Sequence, residues 1–179
     1  MQKKSSIKRK NCQIFFIFLY RITFMLKILF VCHGNICRSP MAEMFMKNLV
    51  KNSGLEKEFF IESAACRTDE IGSPIHRGTI LKLKEKNVPF TDHRARLITQ
   101  EDYGFYDLII AMDEENMGDL ERKFAGDKEN KCHKLLEYAG LSRDVADPWY
   151  TGNFDATWND VEKGCKALLG SLKTPESAQ

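Results

Sequence analysis

Long apolar runs are missing from this chain of 179 residues: none reaches the ~18 residues of a transmembrane helix. Gly and Pro together number only 16, which excludes collagen-like chains and Pro/Gly-rich disorder. Cysteine is also scarce. Six stand at positions 12, 32, 37, 66, 132 and 165, with no Cys-x-x-Cys pair. That is too few for a disulfide-rich secreted scaffold, and the spacing argues against structural zinc or another metal site. Free thiols in a reducing cytoplasm fit better, with at least one put to chemical use. Acidic residues are absent from positions 1–24, which hold Lys3, Lys4, Lys8, Arg9, Lys10 and Arg21. The net charge of +2 therefore hides a basic arm, and the remaining 155 residues carry a net −4. A mildly acidic body argues against nucleic acid as a partner. Internal repeats, linkers and low-complexity tracts are absent too, and the length suits one domain.

The arm at 1–24 combines a basic start with seven apolar residues, Ile14 to Tyr20, broken by Arg21. It resembles the first two regions of a signal peptide but lacks a small-x-small cleavage site. Three readings stay open. The chain proper starts at Met25 and 1–24 is upstream sequence; the arm is a membrane-surface or partner segment; or it is a cleaved export signal. The domain is expected over 25–173, and 174–179 is expected to be a frayed tail.

Within the domain, Lys27 to Val31 is a β-branched and aromatic run that predicts a buried strand. A Gly-containing loop follows, and Pro40 suits the first turn of a helix. Ala42, Phe45, Met46, Leu49 and Val50 form an apolar helical stripe, closed near Gly54. Glu58 to Ser63 predicts a second strand and 75–86 a second helix. Asp107 to Met112 predicts a third strand, with Asp113 capping a helix to about Phe124. Lys131 to Tyr138 predicts a fourth strand, 140–156 a loop, and Trp158 to Leu172 a final helix. This alternation implies an α/β domain with a parallel sheet and helices on both faces. Ligands in such sheets bind beyond the C-terminal ends of the strands, which points to the loop after strand 1.

That loop reads Cys32-His33-Gly34-Asn35-Ile36-Cys37-Arg38-Ser39. Five residues between Cys and Arg let the backbone curl until its N–H groups converge on an anion at the helix N-terminus. Gly34 is expected to take an unusual φ. Arg38 can grip two phosphate oxygens at once. The same positive field stabilises a thiolate at Cys32, which makes it a nucleophile toward a bound phosphoryl group. The alkoxide or aryloxide it displaces needs a proton. Asp147, in Asp147-Pro148-Trp149-Tyr150, is the candidate donor, with apolar rings beside it that favour the protonated acid. Asp113 also follows a strand, but helix capping explains it more simply.

Together these residues resemble the low-molecular-weight protein tyrosine phosphatases. The likeness runs from about Leu26 to Ser171 and rests on VCHGNICRSPMAE at 31–43, IESAA at 61–65, HRARLITQED at 93–102, AMDEEN at 111–116 and DPWYTGNF at 147–154. It implies a four-stranded parallel sheet in the order 2-1-3-4. It also implies a cytoplasmic enzyme without cofactor that hydrolyses phosphotyrosine in proteins, and small aryl phosphates, through a phosphocysteine. Cys32 matches the nucleophile, Arg38 the phosphate-binding arginine and Asp147 the general acid. His33, Gly34, Asn35, Ile36 and Cys37 match the remaining phosphate loop. Asn35, Ser39, Ser63 and His93 match a polar network that holds the loop, with Ser39 bonded to the thiolate. Cys37 matches a second cysteine that can form a disulfide with Cys32 under oxidation. Ile36, Trp149 and Tyr150 match the walls of the substrate cleft. Whether a weak dimer forms is left open.

The chain departs from the family pattern at His33, beside the nucleophile, and at Cys66-Arg67-Thr68-Asp69, where Asp69 stands near the position of a cleft aromatic. A more polar entrance is expected. Two relatives of the fold offer alternatives. Arsenate reductases need redox cysteines in a mobile segment, but residues 67–131 contain none. Protein-arginine phosphatases typically carry Thr where this chain has Ile36, and an apolar residue suits a phosphotyrosine ring better.

Overall fold

The structure, a computed structural model, describes residues 25–173. The arm at 1–24 and the tail at 174–179 lie outside the described residues. Four parallel strands form one sheet: β1 (Leu26–Cys32), β2 (Phe59–Ala65), β3 (Leu108–Ala111) and β4 (Cys132–Lys134). Their spatial order is β2-β1-β3-β4, as the resemblance implies. β1 is central, pairing Cys32 with Ala65 on one side and Val31 with Ala111 on the other.

The two-residue period of β1 builds a core on each face of the sheet. Ile28, Phe30 and Cys32 face one core, which takes in Phe45, Leu83, Trp158 and Val161. Those residues come from α1 (Arg38–Asn52), α2 (Arg77–Glu85) and α6 (Phe154–Lys173). Leu29 and Val31 face the other, with Tyr106, Leu120 and Phe124. That side is covered by α3 (Gln100–Phe105) and α4 (Glu114–Phe124). Covering both faces explains why β1 reads as a continuous apolar run. Each fully buried large apolar side chain contributes about 1.5–3 kcal/mol.

The helix of 38–52 ends as expected, with Gly54 at φ +70° and the Leu55 amide bonded back to the Val50 carbonyl at 2.9 Å. Asp113 caps α4 by accepting from the Asn116 amide at 2.6 Å. Three expectations need correction. The fourth strand stops at Lys134, and Leu135–Ala139 forms a 3-10 turn. Leu135 is drawn under α6, where Gly164 leaves room: a Cβ there would lie 2.5 Å from the Leu135 side chain. The span 140–156 is not wholly loop, since it contains the one-turn helix α5 (Pro148–Thr151) and the start of α6. The helix α3 was not foreseen. Its signal is the capping box between Thr99 and Asp102, both halves of which form.

Candidate active site

The loop from Cys32 to Arg38 joins the end of β1 to the start of α1, at the C-terminal edge of the sheet. Several of its carbonyls are held from outside. Those of Cys32 and His33 accept from the Cys66 and Arg67 amides at 2.9 and 3.0 Å. The Asn35 carbonyl meets His93 Nε2 at 3.0 Å, and the Ile36 carbonyl accepts from the His76 amide at 2.9 Å. In a trans peptide the N–H points opposite the preceding carbonyl. Turning these carbonyls outward therefore turns the amides of His33, Gly34, Ile36 and Cys37 inward. The cradle expected from the sequence arises in this way.

The unusual φ belongs to Asn35, at +58°, and not to Gly34. The Asn35 side chain compensates. Its amide nitrogen donates to Ser39 Oγ at 2.9 Å and to Ser63 Oγ at 2.8 Å, and its oxygen accepts from the Arg96 amide at 3.2 Å. Asn is the ordinary residue most at ease in this backbone region. Gly34 is needed for a different reason: a Cβ there would lie 2.9 Å from the Glu70 side chain.

The network sets the direction of each hydrogen bond. Ser63 donates to Glu43 Oε2 at 2.5 Å, so its oxygen is free to accept from Asn35. Ser39 likewise accepts from Asn35, so its own proton points to Cys32 Sγ, 3.1 Å away. Charge-assisted bonds of this kind stabilise a thiolate. Glu43 is 5% exposed and anchors the whole chain of contacts, a role that sequence reasoning missed. Its position on the first turns of α1, beside an otherwise apolar stripe, was the available signal.

Arg38 is buried and lies between two carboxylates. Its Nη2 is 2.6 Å from Asp147 Oδ2, and its Nη1 bonds Asp113. Burial by itself opposes the charge, but Cys32, Asp147 and Asp113 hold the guanidinium pKa above its ordinary value. Asp113 thus both caps α4 and orients Arg38, so capping was only half of its role. The surroundings of Asp147 also differ from expectation. Its oxygens meet Arg38 and the Trp149 amide, the latter at 2.9 Å, in place of apolar rings. Trp149 and Tyr150 stand further out and are exposed.

A cavity of about 240 Å³ opens over Cys32, lined by the loop, Asp147, Trp149 and Tyr150. Asp69 lies at its rim with Glu70 and Glu115, and His33 Nε2 meets Asp69 Oδ2 at 3.1 Å. The polar entrance expected from the sequence is present, and two of its three carboxylates were not anticipated. Trp149 is backed by His76, whose ring meets it edge-on at 6.3 Å and stacks on Phe154 at 5.3 Å.

Cys37 does not share the environment of Cys32. Burial first, then the charges of Cys32 and Asp147, push its pKa up to about 12. A thiol with a raised pKa stays neutral at every pH below that value. Iodoacetate, an anion that the cradle attracts, is therefore expected to alkylate Cys32 and to spare Cys37 between pH 6 and 9. Fragment-ion mass spectrometry resolves the two on their shared tryptic peptide. Equal labelling would contradict the burial argument.

A strand-loop-helix cradle with a cysteine at its start, a buried arginine and a carboxyl group on a facing loop is the arrangement that a cysteine-dependent phosphatase requires. Residues 27–178 match the family described as low molecular weight phosphotyrosine protein phosphatase, and the chain belongs to that family. It is 43% identical to the low molecular weight protein-tyrosine-phosphatase YfkJ of Bacillus subtilis, over 83% of this chain and 97% of that one. The crystal structure of YfkJ superposes with a TM-score of 0.82 at 39% identity, covering 85% of this chain and 97% of YfkJ. The Streptococcus pyogenes enzyme SP-PTP gives 0.76 at 38% identity, covering 85% of this chain and 96% of its own. The Drosophila arginine phosphatase DARP gives 0.76 at 31% identity, covering 84% of this chain and all of its own.

Proposed function

We propose that this chain hydrolyses phosphotyrosine in proteins, and small aryl phosphates, with Cys32 as nucleophile, Arg38 as phosphate clamp and Asp147 as general acid. The observation that carries the reading is the convergence of all three groups: Cys32 lies in the cradle, and Arg38 touches Asp147. In the first step the Cys32 thiolate attacks phosphorus and a P–S bond forms. The P–O bond to the leaving group breaks, and Asp147 gives its proton to the departing oxygen. In the second step Asp147 takes a proton from water, which attacks phosphorus, releases inorganic phosphate and restores the thiolate. Arg38 and the loop amides supply the positive field for both steps, and the steps call for no metal.

Ile36, Trp149 and Tyr150 offer apolar surface that suits a phenyl ring. A second reading, phosphoarginine hydrolysis, is favoured by the likeness to the arginine phosphatase DARP. Phosphate release from matched phosphotyrosine and phosphoarginine peptides separates the two. Faster release from the phosphotyrosine peptide is expected, and the reverse order would move phosphoarginine to the front. No helix among the described residues is long and apolar enough to cross a membrane. The free thiols of Cys32, Cys37, Cys66, Cys132 and Cys165 suit the reducing cytoplasm that we propose as its location.

A further inference from the structure

Asp147 stands at the end of a loop whose last residues are tied to two different parts of the fold. The Val145 amide donates to the Met112 carbonyl at 2.9 Å, just past the end of β3. Ala146 is held at both backbone groups by α6. Its amide donates to Asp160 Oδ2 at 3.0 Å, and its carbonyl accepts from Thr157 Oγ1 at 2.8 Å. Thr157 and Asp160 are three residues apart and so share one helix face. Thr157 is fully buried and Asp160 is 5% exposed.

We propose that Asp160 is a positioning residue for the general acid Asp147, with Thr157 and Arg143 as its partners in fixing the Ala146 peptide. The inference rests on the phosphatase reading above. The Ala146 carbonyl and the Asp147 amide belong to one planar peptide group. Fixing that plane leaves only the dihedrals of Asp147 itself to place its carboxyl 2.6 Å from Arg38 Nη2. Misplacing a catalytic group by about 1 Å can cost about a hundredfold in rate.

Asp160 would be a poor choice for packing alone. A buried carboxylate is costly unless paired and hydrogen-bonded. Here Arg143 reaches it with both terminal nitrogens, at 2.8 and 2.5 Å, and the Ala146 amide adds a third bond. Burial pushes the Asp160 pKa up, but Arg143 and the Ala146 amide outweigh it and leave it below the ordinary value. Arg143 is itself half exposed, so as a bare ion pair the contact would contribute little. Its use is to keep Asp160 charged and aimed at the Ala146 amide.

The test compares two substrates on the full chain. Phenyl phosphate has a poor leaving group that needs the proton of Asp147. 2,4-Dinitrophenyl phosphate has a good one that does not. Asp147→Asn supplies the benchmark of a lost acid: a large fall in kcat/KM on phenyl phosphate and a small fall on the dinitrophenyl ester. Asp160→Ala is expected to copy this pattern, losing about tenfold or more on phenyl phosphate and under about threefold on the other. Asp160→Asn keeps an acceptor for Ala146 and should recover part of the loss. Thr157→Val leaves Asp160 in place and removes the hydroxyl's bonds to the Ala146 carbonyl and, at 3.3 Å, the Asn153 carbonyl. It should shift the ratio in the same direction and carries the test if Asp160→Ala does not fold.

Equal losses on both esters in folded variants, or no loss on phenyl phosphate, would overturn the positioning role. An Asp147→Asn protein that lost both esters equally would remove the acid from Asp147 and this role with it. A parent chain inactive on both would overturn the phosphatase reading itself.

Discussion

Cys32→Ser is expected to lower kcat/KM on a phosphotyrosine peptide by at least about four orders of magnitude while leaving peptide binding intact. Two physical differences account for the size of the loss. A serine hydroxyl remains neutral in the field that stabilises a thiolate, and its oxygen is a far weaker nucleophile without a base. No base stands ready for it, because Ser39 Oγ already donates toward position 32 and Asp147 is engaged by Arg38. Binding should survive because the cradle is made of backbone amides and Arg38, none of which the substitution removes. Phosphate release and peptide titration on the same protein check both halves. Turnover within tenfold of the parent would place the nucleophile elsewhere. Cys37 is a poor substitute, since burial keeps it a thiol.

Arg38→Lys should come next in size, with a loss of about a thousandfold in kcat/KM. An arginine on a transferring phosphoryl group typically supplies 10³–10⁵ in rate, so about a thousandfold is the low end of that range. Lysine keeps the charge but not the planar fork, and it cannot hold two phosphoryl oxygens at once. It also cannot reach Asp113 and Asp147 together, which Arg38 now spans with its two terminal nitrogens. The variant therefore loses the clamp and the alignment of the acid in one change. Steady-state kinetics together with a melting curve in inorganic phosphate check the argument. Phosphate should raise the melting temperature of the parent and do so much less in Arg38→Lys. An undiminished rate would mean that the loop amides alone stabilise the transition state.

Much of the site was legible because its parts are close in sequence or repeat at short periods. The alternation in β1 sorts its residues to two faces, and the seven residues from Cys32 to Arg38 contain the proposed nucleophile, the cradle and the arginine. Asp113 was legible as a cap because capping is local. Its contact with Arg38 was not, since it joins residues 75 apart across two neighbouring strands. Glu43 looked like one polar residue on a helix, yet it anchors Ser63 from β2 and lies 4.0 Å from His93. Gly34 and Asn35 exchanged roles for a similar reason. Gly suits a left-handed φ in general, but here the space beside Glu70 decided where the glycine had to stand.

The fourth strand shows the limit of periodicity. Leu135 and Leu136 belong to the strand expected over 131–138, but among the described residues β4 pairs with β3 alone, and the chain turns after Lys134 to seat Leu135 against Gly164. Nothing local to 131–138 states that a glycine thirty positions later offers that space.

From its sequence the chain already predicts a parallel α/β domain, an anion cradle after its first strand, and Cys32, Arg38 and Asp147 as the candidate groups of a phosphatase. The sheet and helices follow from periods of two and 3.6 residues and the cradle from one short loop, whereas Asp147, far along the chain, is singled out by its own Asp-Pro-Trp-Tyr stretch and by the resemblance to the phosphatase family. Tertiary structure alone decides how Asp147 meets Arg38, which carboxylates rim the cavity, and how α6 holds the Ala146 peptide. Such contacts join side chains far apart along the chain, and only packing the helices against a sheet of fixed strand order brings them within hydrogen-bonding distance.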